Sequence, residues 1–177
     1  MKNTFILHLS MREPEEIIHY NETVINKVDQ KLIFPFVDDS TKELIQKDFE
    51  DSSVIVWRLS DNAVNRSKFD KLTSGDEILV VEDDVIKLLG KVSAKVHSEE
   101  LATKLWYSFD SQKEEKLSLI FFILDSSPIN LSFSELANLL GYGEDWIPEG
   151  LTLIDPEKLS SLKLENDGLY RALKLKS

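Results

Sequence analysis

Val54-Ile55-Val56-Trp57 opens the stretch that decides the fold, and Leu119-Ile120-Phe121-Phe122-Ile123-Leu124 closes it. Between these runs lie the turn Ser74-Gly75-Asp76, two further apolar runs and a short helical pattern that carries Trp106. The closing run is too short and too rich in β-prone residues for a helix, so we predict a central strand there. Trp57 and Trp106 therefore bracket a β-rich core, in which they either fill the interior or line an aromatic pocket.

Length and composition favour one globular domain. The chain has 177 residues, of which 42% are hydrophobic and 30% charged, and this length allows one sizeable hydrophobic core. Cysteine is absent and the three histidines are widely separated, so the sequence offers neither disulfides nor zinc-ligand spacing. No run reaches the roughly 20 apolar residues of a membrane helix, and no signal-peptide pattern begins the chain. We therefore expect a cytoplasmic protein that binds no cofactor, metal or membrane.

The net charge bears on the class of partner. It is -11 at pH 7, which argues against indiscriminate binding to nucleic acid, because attraction to phosphate scales with the cations presented. Residues 58–116 are the least acidic part, with ten Lys/Arg against twelve Asp/Glu, compared with six against eleven in residues 1–57 and five against nine in residues 117–177. Any polyanion site must therefore be a local patch.

Local patterns predict one α+β domain with a bent sheet flanked by helices. Residues 1–52 are expected to form a flanking layer, with a strand at Thr4–Leu9, a helix from Pro14 to about Val28, an edge strand or extended segment at Leu32–Val37, and a helix capped by Ser40. We place the core at residues 53–150, with strands at Ser53–Leu59, Glu77–Val81 and Val85–His97, and helices capped by Asp61-Asn62, Ser98 and Ser132. A C-terminal helical segment, residues 151–177, completes the domain.

The sequence contains no recognisable catalytic motif. It lacks a nucleophile elbow, a histidine pair at metal spacing and a phosphate-binding glycine loop. A group of acids followed by a lysine resembles the pattern of metal-dependent nucleases, and it comprises Asp76, Glu77, Glu82, Asp83, Asp84 and Lys87. Three consecutive acids are more often a solvated hairpin turn, and we favour that interpretation over an enzyme.

The basic residues of the middle region also have two interpretations. Lysines on one strand face can protect a sheet edge from aggregation, or they can follow a phosphate backbone. The stripe consists of Lys87, Lys91 and Lys95, and the basic residues near Trp57 are Arg58, Arg66, Lys68 and Lys71. For the second interpretation, the residues predicted to contact a nucleic-acid backbone are Arg58, Arg66, Lys87, Lys91 and Lys95.

The two tryptophans raise the same question of structure or function. A tryptophan at a strand end or on an amphipathic helix usually fills a core. It can instead stack on a base turned out of a duplex, while Asn62, Asn65 or backbone groups read the edge of that base. Composition does not distinguish these two roles.

Several short motifs occur in a characteristic order and spacing. Their residues are Trp57, Asn65, Arg66, Phe69, Leu72, Gly75, Asp76, Gly90, Val92, Leu101, Ala102, Leu105, Trp106, Phe122, Gly141, Tyr142, Pro148 and Gly150. This progression resembles the EVE/YTH-like modules of the PUA superfamily, which lie at the N-termini of modification-dependent (Mcr-type) restriction proteins. The resemblance covers Val54 to about Gly150.

The resemblance implies a small bent β-barrel flanked by helices, whose pocket clasps a base rotated out of duplex DNA. It implies that Trp57 and Trp106 are walls of an aromatic cage and that Asn62 or Asn65 hydrogen-bonds the base. Candidates for a third wall are Leu117, Phe122 and Trp146. The sequence departs from the family pattern at Arg58, where a small residue is expected, and near Glu115, where an aromatic residue is expected.

The predicted function is therefore a non-catalytic reader of a modified base in DNA. The implied partners are modified duplex DNA and an AAA+ motor or nuclease subunit of a restriction system that serves in antiviral defence. One alternative is a module that reads modified RNA. A second, motivated by the acidic charge, is a protein-interaction or regulatory module whose pocket is filled. A metal-dependent nuclease ranks third.

Overall fold

A computed structural model describes residues 2–110, 116–143, 145–166 and 168–175. The chain divides into two compact units. Met1–Ser10, Asp76–Gly90 and Asp125–Ser177 form what we call the terminal unit, and Met11–Gly75 and Lys91–Leu124 form the central unit. Two long strands contribute residues to both units. That the chain is a single domain stays a prediction.

The described residues form both helices and strands. The strands are β1 (Thr4–Leu9), β2 (Val28–Asp29), β3 (Ser53–Leu59), β4 (Glu77–Glu82), β5 (Val85–His97), β6 (Leu119–Ser132) and β7 (Leu151–Leu153). The helices are α1 (Pro14–Tyr20), α2 (Gln30–Ile33), α3 (Asp39–Asp48), α4 (Ala63–Lys71), α5 (Glu99–Asp110), α6 (Phe133–Leu139), α7 (Pro156–Asn166) and α8 (Leu169–Lys174). A π-helical turn, Asn21–Ile25, extends α1, and a 3-10 turn, Phe34–Phe36, follows α2.

Several of these elements lie where local patterns predict them. Strands β1, β3 and β5 match the predicted bounds, and Asn62 caps α4 by accepting a hydrogen bond from the Asn65 backbone N–H at 2.9 Å. The prediction of a strand or extended segment at Leu32–Val37 is wrong. Asp29 caps the short helix α2 with its carboxylate, and Pro35 lies in the 3-10 turn near its start, where the missing N–H is not needed.

In the terminal unit, the strand order is β6, β5, β4, β1 and β7. Strand β1 pairs in parallel with β4 and antiparallel with β7. It is therefore part of the sheet, which corrects the prediction that Thr4–Leu9 belongs to a flanking layer. Helices α6, α7 and α8 pack against these strands and close a core that includes Ile6, Leu79, Leu131 and Leu136.

In the central unit, the strand order is β2, β3, β6 and β5. Strands β3 and β6 run antiparallel, with Val56 opposite Phe122 and Trp57 opposite Phe121. The core of this unit contains Val56 and Phe122 together with Trp106 from α5 and Ile45 from α3. Because side chains alternate along a strand, Trp57 and Phe121 start from the other face of this strand pair.

The mixture of strands and flanking helices confirms the predicted α+β class. Strand β6 is longer than predicted, since it continues past Pro128 to Ser132. Over the described part of the chain, no helix is both long and apolar enough to cross a membrane.

Candidate nucleic-acid interface

Both tryptophans of the predicted cage lie inside the central unit. Trp57 and Trp106 are each 1% exposed. Trp106 packs in the core that contains Phe122, whereas Trp57 starts from the opposite face of β3. In this conformation their rings are covered, so a base would reach them only after the packing opens. Their role as cage walls stays a prediction, as does that of Phe122.

His19 and Arg58 connect the two tryptophans. The Arg58 guanidinium lies 4.6 Å from the centre of the Trp57 ring, and its Nη2 donates to Nδ1 of His19 at 2.8 Å. The His19 ring in turn lies 5.7 Å from the Trp106 ring. Tyr20, the neighbour of His19, meets Trp57 edge to face at 6.3 Å. We call these five residues the aromatic cluster.

The charge state of His19 follows from this arrangement. An arginine side chain can only donate hydrogen bonds, so His19 accepts through Nδ1 and carries its proton on Nε2. Burial, together with the nearby charge of Arg58, lowers the pKa of His19 from 6.5 to about 3. The imidazole is therefore neutral at physiological pH, and Arg58 is the cation of the aromatic cluster.

Trp106 has two unusual local features. Its backbone dihedrals, φ -132° and ψ 22°, are not helical although it lies within α5. Its indole Nε1–H is buried and has no hydrogen-bond partner among the residues that the structure describes. A buried donor without an acceptor is unfavourable by roughly 1–3 kcal/mol. Such strain is typical of positions that a ligand completes.

The two asparagines predicted to read a base have local structural partners. Asn62 caps α4, and Asn65 donates from Nδ2 to the Ser60 carbonyl at 2.9 Å. These bonds hold the turn that joins β3 to α4, directly after Trp57 and Arg58 in the chain. Contact of either asparagine with a base stays a prediction.

A buried carboxylate organises the surface next to this turn. The Asp61 side chain, 8% exposed, forms an ion pair with Arg66 and accepts from His97 Nε2 at 2.9 Å. Ser118 donates to the same carboxylate at 3.3 Å. The hydrogen bond from Arg66 is the largest cause that lowers the pKa of Asp61 to about 2. We call these four residues the Asp61 cluster.

The predicted phosphate-contacting residues lie in different surroundings. Arg58 is buried against Trp57, so the unexpected residue after the first tryptophan covers an aromatic face. Lys95 lies over the Phe69 ring at 4.8 Å and donates to the Phe69 carbonyl near the end of α4. Lys91 is exposed in the central unit, whereas Lys87 pairs with Glu82 in the terminal unit at 3.9 Å. Their contact with a phosphate backbone stays a prediction.

The acidic residues that resemble a nuclease pattern have structural partners. Asp84 accepts hydrogen bonds from Ser132 and Ser134 at the start of α6. Glu77 pairs with Lys163 and accepts from Thr4 Oγ1 at 2.7 Å. Within the described ranges, no group of three or more histidine, aspartate or glutamate side chains is placed to hold a metal ion.

Two further residues predicted for the cage are also placed. Trp146 stacks on Tyr142 at 3.9 Å in the terminal unit, and Leu117 is buried in the central unit. The position near Glu115, where an aromatic residue was expected, lies outside the described residues.

Sequence reasoning missed His19 and Tyr20, because the first fifty residues carry no motif for chemistry. A signal was nevertheless present. The positions His19, Tyr20, Thr23 and Val24 have the spacing of one helix face, and all four are buried. A histidine at a core position of an amphipathic helix needs a polar partner, and Arg58 is that partner here.

No protein-family model matches the chain, and no curated protein matches it in sequence. Among solved structures, the chain is similar to the N-terminal domain of Thermococcus gammatolerans McrB bound to m5C DNA. The sequences are 16% identical, the TM-score is 0.65, and the match covers 94% of this chain and 99% of that one. This likeness confirms, for the fold, the predicted resemblance to Mcr-type N-terminal modules: the chain has the fold of the McrB N-terminal domain.

Proposed function

We propose that this chain is a non-catalytic module that recognises a modified base in duplex DNA. The observation that carries the proposal is the shared fold, over 94% of the chain, with a domain bound to m5C DNA. From the resemblance of its sequence motifs, we further propose that it acts beside a motor or nuclease subunit of a restriction system in the cytoplasm. The aromatic cluster is the part of this chain whose chemistry fits base recognition.

In this proposal, the base leaves the duplex and enters the central unit. The rings of Trp57 and Trp106 offer apolar faces for stacking, and each stacked base gains roughly 1–3 kcal/mol. The indole N–H of Trp106 lacks an acceptor among the described residues, and a base carbonyl or ring nitrogen would supply one. Entry requires the packing around Trp57 to open, because that ring is covered by Tyr20 and Arg58.

Arg58 is central to the selectivity of this site. Its guanidinium occupies one side of the Trp57 ring in the closed form, so an incoming base must displace it from the ring. A base that stacks weakly does not repay this loss, whereas added methyl groups increase the buried apolar area. The aromatic cluster therefore favours a modified base over a plain one through a difference of stacking energies.

The test measures binding of fluorescent duplexes that are identical except for one base. One duplex carries 5-methylcytosine, one carries N6-methyladenine and one is plain. We expect tighter binding of one modified duplex by the wild-type chain, and we expect Trp57→Ala to abolish this preference and to weaken binding of that duplex by about 5- to 150-fold, corresponding to the loss of one stack. Trp146→Ala is the matched control, because it removes a tryptophan from the terminal unit.

Folding of each variant is checked by circular dichroism and thermal unfolding. If Trp57→Ala does not fold, Trp57→Phe keeps a ring of smaller stacking area and should lower the preference less. Equal binding of modified and plain duplexes by the folded wild-type chain would contradict the proposal. Competition with an RNA of the same sequence separates DNA from RNA recognition.

The second candidate function is a protein-interaction module whose pocket is permanently filled. The complete burial of Trp57 and Trp106 favours it, and the net charge of -11 suits a basic protein partner. Failure of every nucleic acid to bind at about 50 mM salt, where phosphate attraction is strong, would favour this candidate over the reader.

A further inference from the structure

The Asp61 cluster joins separate segments of the central unit at one surface point. Asp61 follows β3, Arg66 lies on α4, and His97 ends β5. The backbone N–H of Asp61 also donates to the Lys116 carbonyl at 2.7 Å, and Ser118 donates to the Asp61 carboxylate. The positions of these groups are therefore fixed by strand ends and not by a single flexible loop.

Exposure differs sharply within the cluster. The Asp61 side chain is 8% exposed, whereas Arg66 is 59% and His97 50% exposed. The acceptor is thus covered while both nitrogen-bearing side chains reach the surface. An ordinary surface ion pair has both partners in water and holds neither in place. Here the buried carboxylate fixes the orientation of two exposed donors.

Each donor keeps capacity for a second acceptor. Asp61 accepts from Nε and Nη2 of Arg66, and a guanidinium has five N–H groups, so three remain. Asp61 accepts from Nε2 of His97, so Nδ1 can donate to a second acceptor when the ring is protonated and carries a hydrogen on both nitrogens. Neither side chain makes a further hydrogen bond to the residues that the structure describes.

We propose that Arg66 and His97 form a clasp, held in place by Asp61, that binds one backbone phosphate of the DNA. This inference rests on the proposed function, and it adds His97 and Asp61 to the residues that sequence patterns had indicated. Arg66 is the principal ligand, because its planar fork matches two phosphate oxygens. His97 contacts the same phosphate through Nδ1 in its protonated form, because only the imidazolium ion carries a hydrogen on both ring nitrogens. Asp61 is a positioning residue that does not touch the DNA.

The place of the clasp in the chain supports this assignment. Asp61 follows Trp57 by four positions, across the end of β3. The clasp would hold the DNA backbone at a point of the protein that is close in sequence to Trp57, the ring proposed to stack on the base. Phosphate contacts generally set the register of a protein on a duplex. Prior orientation by Asp61 also reduces the side-chain entropy lost on binding.

The first test uses a plain duplex, whose binding does not depend on recognition of a modified base. Affinity is measured at several salt concentrations for the wild-type chain, Arg66→Gln, His97→Gln and the control Lys104→Gln. The control removes one exposed positive charge from α5 in the same unit. We expect Arg66→Gln to weaken binding about 3- to 10-fold at low salt and to reduce the salt slope by about one, and His97→Gln to weaken binding less.

The second test is Asp61→Asn, which separates positioning from net charge. Removing a negative charge should strengthen DNA binding if only the total charge matters. The clasp predicts weaker binding instead, because an amide does not hold Arg66 and His97 as a carboxylate does. Thermal unfolding shows whether each variant is folded. If Asp61→Asn does not fold, Arg66→Gln still tests the clasp, because it changes an exposed side chain.

The outcomes also separate this inference from the proposed function. The clasp is overturned if Arg66→Gln behaves like Lys104→Gln, or if folded Asp61→Asn binds plain DNA more tightly than wild type. The preference for a modified base can survive either result. Arg66→Gln should weaken the binding of modified and plain duplexes by the same factor. If the wild-type chain shows no preference for a modified base, the proposed function is contradicted, but the proposed phosphate contact is not.

Discussion

The two units of the chain differ in how they treat buried polar groups. In the terminal unit, buried Asp76 accepts from the Asn3 backbone N–H at 2.9 Å, and buried Thr4 donates from Oγ1 to Glu77 at 2.7 Å. In the central unit, a cationic arginine is buried against a neutral histidine, and the Trp106 N–H has no acceptor among the described residues.

This difference indicates which buried polar groups stabilise the fold and which are better explained by function. Polar groups that serve structure are paired, because an unpaired buried group reduces stability. Arg58 is a buried cation that has an uncharged imidazole among its partners, and burying a cation removes it from favourable hydration by water. Departures from consistent packing concentrate at functional positions, and here they concentrate in the aromatic cluster.

The largest expected effect is acid sensitivity through His19. Its pKa is about 3 in the folded chain and 6.5 in the unfolded one, so between these values the unfolded state binds more protons. The free energy of unfolding should therefore be highest above pH 6.5 and fall as the pH falls towards 3, by up to a few kcal/mol. Urea denaturation at a series of pH values measures it.

His19→Gln is the matched variant, since glutamine can accept from Arg58 and cannot be protonated. The difference between wild type and variant should shrink or change sign as the pH falls from 7 to 4.5. This pH window lies above 3.8, the usual pKa of an aspartate. The pKa values of Asp61 and Asp84 are lower than this in the folded chain, so these residues reduce stability only at more acidic pH. Parallel pH profiles for the two proteins would refute the role of His19.

The next effect is expected in the terminal unit, where polar groups serve structure. Asp84→Ala removes the carboxylate that accepts from the Ser134 backbone N–H at 3.1 Å and from its hydroxyl at 2.7 Å. We expect it to lower the free energy of unfolding by about 1–2 kcal/mol, as for the loss of a helix cap. Discrimination between modified and plain DNA should stay unchanged.

Asp83→Asn is the control for this change. It removes one negative charge from the same turn, and asparagine tolerates the positive φ of 51° at this position. Its stability should stay close to that of wild type. If Asp84→Ala alters base discrimination while Asp83→Asn does not, the assignment of a purely structural role to the terminal acids is wrong.

The fold was more predictable from the sequence than the site, because its signals are local. Alternating apolar residues place β3 and β5, and Asn62 with its neighbours places α4. Parallel pairing of β1 with β4 joins Thr4 to Glu77 across the chain. No local pattern in Thr4–Leu9 shows this partner, so the sequence alone predicts a flanking layer there.

The aromatic cluster was half predictable for the same reason. Trp57 and Trp106 are conspicuous as residue types, and the sequence predicts that both belong to one β-rich core. His19 bonds to Arg58 across 39 positions, and Asp61 meets His97 across 36. Such pairs become visible only when strand order and register are known, so the polar half of the candidate site required the structure.

Trp106→Phe is expected to cause the smallest change in stability. It also tests the comparison of the two units most directly. Trp57 and Trp106 are equally buried, and replacement by phenylalanine removes the same atoms from each. At Trp106 the lost packing is offset, because the removed N–H is a buried donor without an acceptor among the described residues.

We therefore expect Trp106→Phe to change the free energy of unfolding by no more than about 1 kcal/mol, and Trp57→Phe to lower it by more, since that ring also packs against the Arg58 guanidinium. Urea denaturation of both variants at pH 7 provides the comparison. If the unpartnered N–H serves a ligand, Trp106→Phe should still weaken binding of the modified duplex, so stability and recognition separate at one residue. Equal destabilisation by the two variants would mean that the Trp106 N–H is satisfied in solution, and the central unit would then be packed as consistently as the terminal one.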